Sequence, residues 1–377
     1  MDYRRNHNLT HFTMFFADDA GSLNCSLFNI IFPAKYINEK YPGIHSADTF
    51  HISQLNQWTP EVVESCQKAD LILIERNLFG DALIREMQLF LQNKPVALVW
   101  DDSYENIESQ NASFSFWHDS IVTQQLENGQ VQNIKIFPSN ISQLRRGARL
   151  AKAYIGPSRL LAEDWSKYTT SYRIYNYLDL ERYPEDAEPL LPYDGITIGW
   201  CGSLSHVSSF TDSGVIPALT YVARKYDNVR VLCGGDKRVY DKINLPETKK
   251  VFQPYVPDEQ WASLQKSIDI GIAPLTSTFD RRRSPIKVLE YMLLKIPWIA
   301  TNFETYEELG EYGHLIENGI ESWKKALCDA VENIEEYRKL ANGKAHEYAL
   351  SQSYDKNIDK LLAVYQEIIT IPDRDEL

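Results

Sequence analysis

The sequence predicts an α/β protein of two doubly wound domains, and three observations predict it. The chain has 377 residues, more than a single hydrophobic core usually serves. Short apolar runs alternate with longer amphipathic ones, the rhythm of a parallel sheet with helices on both faces. The rhythm stops once, in a stretch rich in Pro, Asp and Glu, and then restarts.

In the first half, HFTMFFA (11–17) reads as a strand and SLFNIIFPAKYINEKY (26–41) as a helix interrupted by Pro33. ADLILIER (69–76) is apolar on both faces and so a buried strand. GDALIREMQLFLQN (80–93) has helical spacing, PVALVW (95–100) is the next strand, ISQLRRGARLAKA (141–153) a helix, and YIGPS (154–158) a strand ending at Gly-Pro. The segment NYLDLERYPEDAEPLLPYDG (176–195) breaks the pattern and reads as the linker. Beyond it, GITIGWCG (195–202), VRVLCGG (229–235), KKVFQPYV (249–256), DIGIAPL (269–275) and PWIAT (297–301) read as strands. Helices are expected at 213–226, 258–267 and 284–294, and helical spacing at 319–348 and 353–369. The expected domains are 1–180, a linker at 181–194, a second domain at 195–350, and a helical tail at 351–377 that packs back on the first domain.

The formal net charge of -13 argues against general binding to nucleic acid or anionic membranes, which Lys and Arg drive. Hydrophobic residues at 44% and charged residues at 24% suit a soluble globular chain. The five cysteines (Cys25, Cys66, Cys201, Cys233, Cys328) lack metal-ligand spacing and read as reduced thiols of a cytoplasmic protein. The N-terminus has no basic-then-apolar leader, and no apolar run approaches the ~20 residues that cross a bilayer. The terminal RDEL and the N-x-S/T triplets at Asn8, Asn24, Asn111 and Asn140 are therefore discounted. No metal site is expected, and the oligomeric state is not legible.

In doubly wound folds ligands bind beyond the carboxyl ends of the strands. At one such place lies FDRRRSPIKVLEY, 279–291. Ser284 is a good helix cap and Pro285 suits the first turn. Arg281, Arg282, Arg283 and Lys287 crowd a helix N-terminus, where each cation opposes the helix dipole by about 0.3–1 kcal/mol. The cluster makes sense if an anion of charge about two, such as a diphosphate, occupies it. Glu290 shares a face with Lys287 and can accept from the two hydroxyls of a ribose. Cations and carboxylate together suggest a nucleoside diphosphate. The alternative is a solvated charged loop with a surface Lys–Glu pair.

FDRRRSPIKVLEYMLLKIPWIAT resembles the donor-binding segment of retaining GT-B glycosyltransferases of the family 4 type. The match is to a bacterial subgroup reading F-N-x-x-K-S-x-x-K-x-x-E-Y followed by G-[IT]-P. Phe279, Arg283 in the lysine position, Ser284, Lys287, Glu290, Tyr291 and Pro297 fall in register. IGWCGSLSH (198–206) is similar to the subgroup's I-G-Y-x-G-S-x-T-H, PVALVWDD (95–102) to the first-domain strand ending in an acidic pair, and YNYLDLERY (175–183) to N-x-[IV]-D. Two departures stand out. The first glutamate of the larger family's Glu-x7-Glu pair is Arg282 here, and the loop after the second domain's first strand carries only His206 as a basic group.

The resemblance implies the GT-B fold, two Rossmann-like domains facing each other across a cleft. It implies transfer of a sugar with retention from a nucleotide diphosphate sugar, UDP- or GDP-linked, bound as a substrate, with no tightly bound cofactor. The diphosphate is assigned to Arg282, Arg283, Ser284, Lys287, His206 and the N–H groups of Gly202 and Ser203, the ribose to Glu290, and the base to Tyr255 and Val256. Asp101 and Asp102 are the catalytic or sugar-positioning candidates, and Gly21 and Ser22 are candidates for backbone contact with the donor. The acceptor is open: a glycan, a lipid-linked or small molecule, or a modified nucleic acid. Arg145, Arg146, Arg149 and Lys152 form a basic stripe that reads as an acceptor or membrane patch, or as a solvated helix face. Two other readings stay open, a catalytically degenerate GT-B module that binds nucleotides, and a phage-type transferase acting on modified DNA bases.

Overall fold

The computed structural model describes residues 9–19, 23–109, 111, 113–125 and 129–372. The positions of Gly21 and Ser22, of the terminal RDEL and of Asn8 lie outside them. The chain divides into two units. The first comprises residues up to 105, 114–177 and 354 onward, and the second 106–113 and 178–353.

The first unit has a parallel six-stranded sheet. Its strands are β1 (Thr10–Phe16), β2 (His45–His51), β3 (Leu71–Glu75), β4 (Val96–Val99), β7 (Ala153–Gly156) and β8 (Thr170–Arg173), in the order β2-β1-β3-β4-β7-β8. A separate antiparallel hairpin, β5 (Ile121–Gln125) and β6 (Val131–Lys135), precedes the helix Asn140–Leu150. Strands β3 and β4 are buried along their whole length, as a sheet covered on both faces requires. The helix Tyr354–Thr370 covers one face. Its Tyr354, Ile358, Leu361, Leu362, Tyr365 and Ile368 recur at helical spacing and pack on Phe12, Met14, Leu71 and Leu73. Burial of each such side chain contributes about 1.5–3 kcal/mol. The basic helix Asn140–Leu150 is tied down locally: Arg145 Nε donates to Glu105 at 2.6 Å, and Arg149 lies over the Tyr168 ring.

The second unit repeats the plan with β9 (Ile196–Gly202), β10 (Val229–Gly235), β11 (Lys250–Gln253), β12 (Ile270–Ala273), β13 (Trp298–Thr301) and β14 (His314–Ile316). All pair in parallel, in the order β11-β10-β9-β12-β13-β14. The order reverses between β9 and β12, which puts the topological switch point, and the expected ligand crevice, at their carboxyl ends. One face is closed by the helices Val215–Lys225 and Ile320–Glu332, the other by Trp261–Gln265 and Ile286–Leu293.

Pro33 does not break the first helix: helical structure runs from Asn24 to Lys40 through a wider turn at Leu27–Ile31, and Pro33 stands in the turn that follows. Strands β2, β8 and β14 and the hairpin were not expected. They are edge or isolated elements, and HSADTFH (45–51) lacks the apolar run that marks a buried strand.

Candidate functional site

Of the anion-binding candidates, Arg283, Lys287 and His206 converge at the carboxyl ends of β9 and β12. Strand β9 ends in Cys201 and Gly202, and β10 beside it ends in Gly235. Gly235 has φ +91°, and a Cβ there would fall 2.3 Å from the Gly202 carbonyl oxygen. Only glycine allows the two backbones this approach. Gly202 O accepts from Asp236 N at 3.1 Å. Ser203 is exposed, and its Oγ lies 3.1 Å from Ser205 Oγ.

The loop after β12 folds around a residue the sequence reading passed over. Asp280 is 1% exposed. Its Oδ2 accepts from Ser209 Oγ at 2.7 Å, Thr276 N at 3.0 Å and Ser277 N at 3.3 Å, and its Oδ1 from Arg283 Nε at 2.8 Å. Burial alone would raise its pKa; Arg283 and these donors outweigh it and hold the carboxyl below its ordinary value. Asp280 in turn aims Arg283. The guanidinium donates through Nη2 to Ser205 O at 3.0 Å and through Nη1 toward His206 Nε2 at 3.4 Å. Because arginine only donates, His206 Nε2 accepts, and its proton sits on Nδ1.

Helix Ile286–Leu293 begins here. It starts later than expected: Pro285 rather than Ser284 is its N-cap residue, and Ser284 Oγ accepts from Ile286 N at 3.2 Å just outside it. Lys287, half-buried, sends its ammonium to the Cys201 carbonyl, and Nζ stands 5.6 Å from the Trp200 ring centre. Arg283, Lys287 and His206 thus share one small volume. Burial, then the neighbouring Arg283, lowers the Lys287 pKa, although Glu290 pulls the other way. Burial, then Arg283 and Lys287, holds His206 well below its usual value, so it is neutral.

The three arginines part company. Arg281 makes a two-pronged pair with Glu304 at 2.8 and 2.6 Å and lies over the Phe303 ring, so it turns away from Lys287. Arg282 Nη1 donates to Thr278 O at 3.0 Å on the exposed side of the loop. Only Arg283 points at the carboxyl end of β9.

Tyr255 is 57% exposed with its hydroxyl 3.5 Å from Gly202 O, so its ring flanks the same crevice. Val256 packs on the core below. Glu290 is placed differently from the other candidates. It is 5% exposed, and its Oε1 accepts from the Tyr183 hydroxyl, from Trp261 Nε1 at 2.9 Å and from Arg182 Nη1 at 3.2 Å. Its Oε2 has Gln265 Nε2 at 3.5 Å. Two roles therefore compete for one carboxylate: cross-bracing 182–183 to the helix, and gripping a ribose through Oε2. Glu290→Gln separates them by calorimetry. A ribose role predicts weaker nucleoside diphosphate binding with pyrophosphate binding nearly unchanged; equal losses for both ligands leave only the bracing role.

In the first unit Asp101 and Asp102 follow β4. Asp101 is 9% exposed, and its Oδ1 has no hydrogen-bond partner among the described residues. Burial, then the adjacent Asp102, raises its pKa to about 7.

The comparisons agree with this architecture. The family model for glycosyl transferases group 1 matches residues 196–333. Among solved structures, the HepE protein of Anabaena in complex with UDP and glucose is 17% identical, with TM-score 0.62 over 94% of this chain and 99% of that one. The sucrose-phosphate synthase of Thermosynechococcus elongatus is 13% identical, with TM-score 0.60 over 95% and 99%. The UDP-GlcNAc 2-epimerase of Neisseria meningitidis, bound to UDP-GlcNAc, is 11% identical, with TM-score 0.52 over 95% and 99%. No curated protein sequence matches the chain. Residues 196–333 thus match the group 1 glycosyl transferase model, and the two Rossmann-like halves give the chain the GT-B fold.

Proposed function

We propose that the protein transfers a sugar from a nucleoside diphosphate sugar, UDP- or GDP-linked, to an acceptor hydroxyl with retention at the anomeric carbon. The observation that carries this reading is the grouping of Arg283, Lys287 and neutral His206 at the carboxyl end of β9. The solved structures of HepE with UDP and with UDP-glucose support the choice of donor class.

In this reading the diphosphate lies beside Arg283 and Lys287 and against the backbone of Gly202 and Ser203. Tyr255 stacks on the base. As the anomeric C–O bond breaks, charge grows on the leaving diphosphate, and fixed cations stabilise it more than they do the ground state. Asp280 matters because it holds Arg283 in place before the donor arrives, so no reorganisation is needed at the moment of reaction. The new C–O bond forms on the same face, and the acceptor's proton passes to the departing diphosphate. We place the enzyme in the cytoplasm, in line with five cysteines standing as separate thiols.

Arg282 favours a second reading, a nucleotide-binding module without transfer activity, since it occupies the place of a sugar-contacting carboxylate. Release of nucleoside diphosphate from a panel of nucleotide sugars separates the two. Turnover supports transfer, and tight binding without turnover supports the module.

Diphosphate binding should also take up protons. A dianion raises the pKa of His206 and Lys287, which burial depresses in the free protein, with Arg283 and Lys287 adding to the effect on His206. A group whose pKa rises on binding gains protons between its free and bound values. Affinity should therefore increase as pH falls through the bound-state value of His206. Calorimetry in two buffers of different ionisation heat reads the uptake directly; a binding heat independent of buffer contradicts it.

A further inference from the structure

The first unit holds a cluster of opposite sign at the carboxyl ends of β1, β3 and β4, where its own strand order reverses. Glu75 is fully buried and accepts from Ala17 N at 2.8 Å, Asn29 Nδ2 at 3.2 Å, Arg76 Nη1 at 3.0 Å and the Ser26 hydroxyl. Asp18 accepts from Ser26 N at 3.0 Å and from Arg76 Nη2. Asp101 accepts from the Cys25 thiol, beside Asp102. Four carboxyl groups, Asp18, Glu75, Asp101 and Asp102, thus face one guanidinium, Arg76.

Arg76 is already committed to Asp18 and Glu75. Asp101 Oδ1 is left, nine-tenths buried, with no partner among the described residues. A buried acceptor without a donor costs about 1–3 kcal/mol, so a ligand that supplies one has something to gain. Asp18, Cys25, Arg76 and Asp102, which surround Asp101, are half-buried. The carboxylates do not converge as metal ligands do: no cluster of three His, Cys, Asp or Glu placed for a metal occurs among the described residues. An organic cation fits better.

We propose that this acidic cluster anchors the acceptor through a protonated amine, seated on Asp101 Oδ1 beside Asp102, so that the acceptor is an amino sugar or another amine-bearing polyol. The proposal rests on the transferase reading, because it gives the second unit to the nucleotide and the first to the acceptor. The amine is the anchor, and a hydroxyl elsewhere on the same molecule attacks the donor.

The electrostatics agree. Burial raises Glu75, with Asp18 adding to the rise and Arg76 opposing it, and burial with Asp101 raises the Cys25 thiol well above its usual value. Asp101 itself, near 7, is partly protonated at neutral pH. Tyr104, buried against the same groups, keeps its proton. An arriving ammonium lowers the pKa of Asp101 and expels its proton. Binding should therefore release protons, the reverse of the diphosphate.

The test is calorimetry on the full chain with three probes: glucosamine, N-acetylglucosamine and glucose. Glucosamine is expected to bind at least tenfold more tightly than the other two and to release protons near neutral pH. Asp101→Asn should abolish that preference and the proton release, and Asp102→Asn should weaken the preference in part; far-UV circular dichroism checks that both variants fold. Equal binding of the three probes, no binding of glucosamine, or a preference that survives Asp101→Asn overturns the proposal. UDP and GDP titrated into the unaltered protein test the transferase reading separately: their failure to bind removes that reading whatever the amines do.

Discussion

Replacing Lys287 by methionine is expected to weaken nucleoside diphosphate binding about 10- to 150-fold without lowering the stability of the free protein. The affinity loss corresponds to the ~1.5–3 kcal/mol of a hydrogen bond to a charged group. The second half of the prediction follows from the free site. The Lys287 ammonium is half-buried and close to Arg283, and burial with that like charge lowers its pKa. A folded-state pKa below the unfolded one means that the charged form is less welcome in the folded chain. For such a lysine, stability is lost where the unfolded state holds the proton more firmly, below the unfolded pKa, and that range includes neutral pH. Methionine keeps the stem that packs near Trp200 and discards the charge. A residue kept for folding would show the opposite, a lower melting temperature with binding impaired only in proportion. Calorimetry with UDP and GDP measures the first half and thermal unfolding without ligand the second. Unchanged affinity would remove Lys287 from the phosphate site.

The sequence showed this much because the site is local. Phe279 to Tyr291 supplies Asp280, Arg283, Ser284, Lys287 and Glu290 from one strand–loop–helix passage, and β9 supplies Gly202 and the His206 loop from another. Apolar runs exposed the buried strands of both sheets. What sequence spacing does not carry is the partner of each charge. Arg281, Arg282 and Arg283 are equivalent as a run of three, yet Glu304 takes the first, the Thr278 carbonyl the second and Asp280 the third. Only the 3₁₀ turn at Asp280–Arg282 tells them apart, and it exists because Asp280 collects the N–H groups of Thr276 and Ser277. An acid three residues before Arg283 was the available signal. Glu290 was read as a partner of a ribose, and its protein partners were not foreseen. Its donors Arg182, Tyr183 and Trp261 come from segments up to 108 positions away in sequence, which no periodicity reports. The edge strands β2, β8 and β14 escaped for the complementary reason: their pairing partners, not their composition, make them strands.

Asp280→Ala should cost more than any substitution among the cations, about 3–5 kcal/mol of stability in the second unit, because it strands a buried charge rather than removing one. Arg283 is 11% exposed at its side chain and loses its ion-pair partner. Ser209 and the N–H groups of Thr276 and Ser277 lose their acceptor at the same time. Asp280→Asn keeps one oxygen for some of these donors and removes the charge, so its cost should be smaller, about 1–3 kcal/mol. The folded-state pKa of Asp280 lies below its ordinary value. Its contribution is therefore present above the unfolded pKa and is lost as pH falls through the folded one. The gap between the parent and Asp280→Asn should accordingly narrow in acid. Urea unfolding at neutral and at acid pH, followed by a probe in the second unit because the two units need not melt together, measures both the cost and its pH dependence. A double replacement decides the cause. If stranded charge is the cost, Asp280→Ala with Arg283→Met recovers much of the stability that Asp280→Ala loses, yet it still binds nucleoside diphosphate poorly. If the double variant is as unstable as the sum of the two single ones, Asp280 acts on the loop backbone alone, and the arginine it aims is a passenger in the fold.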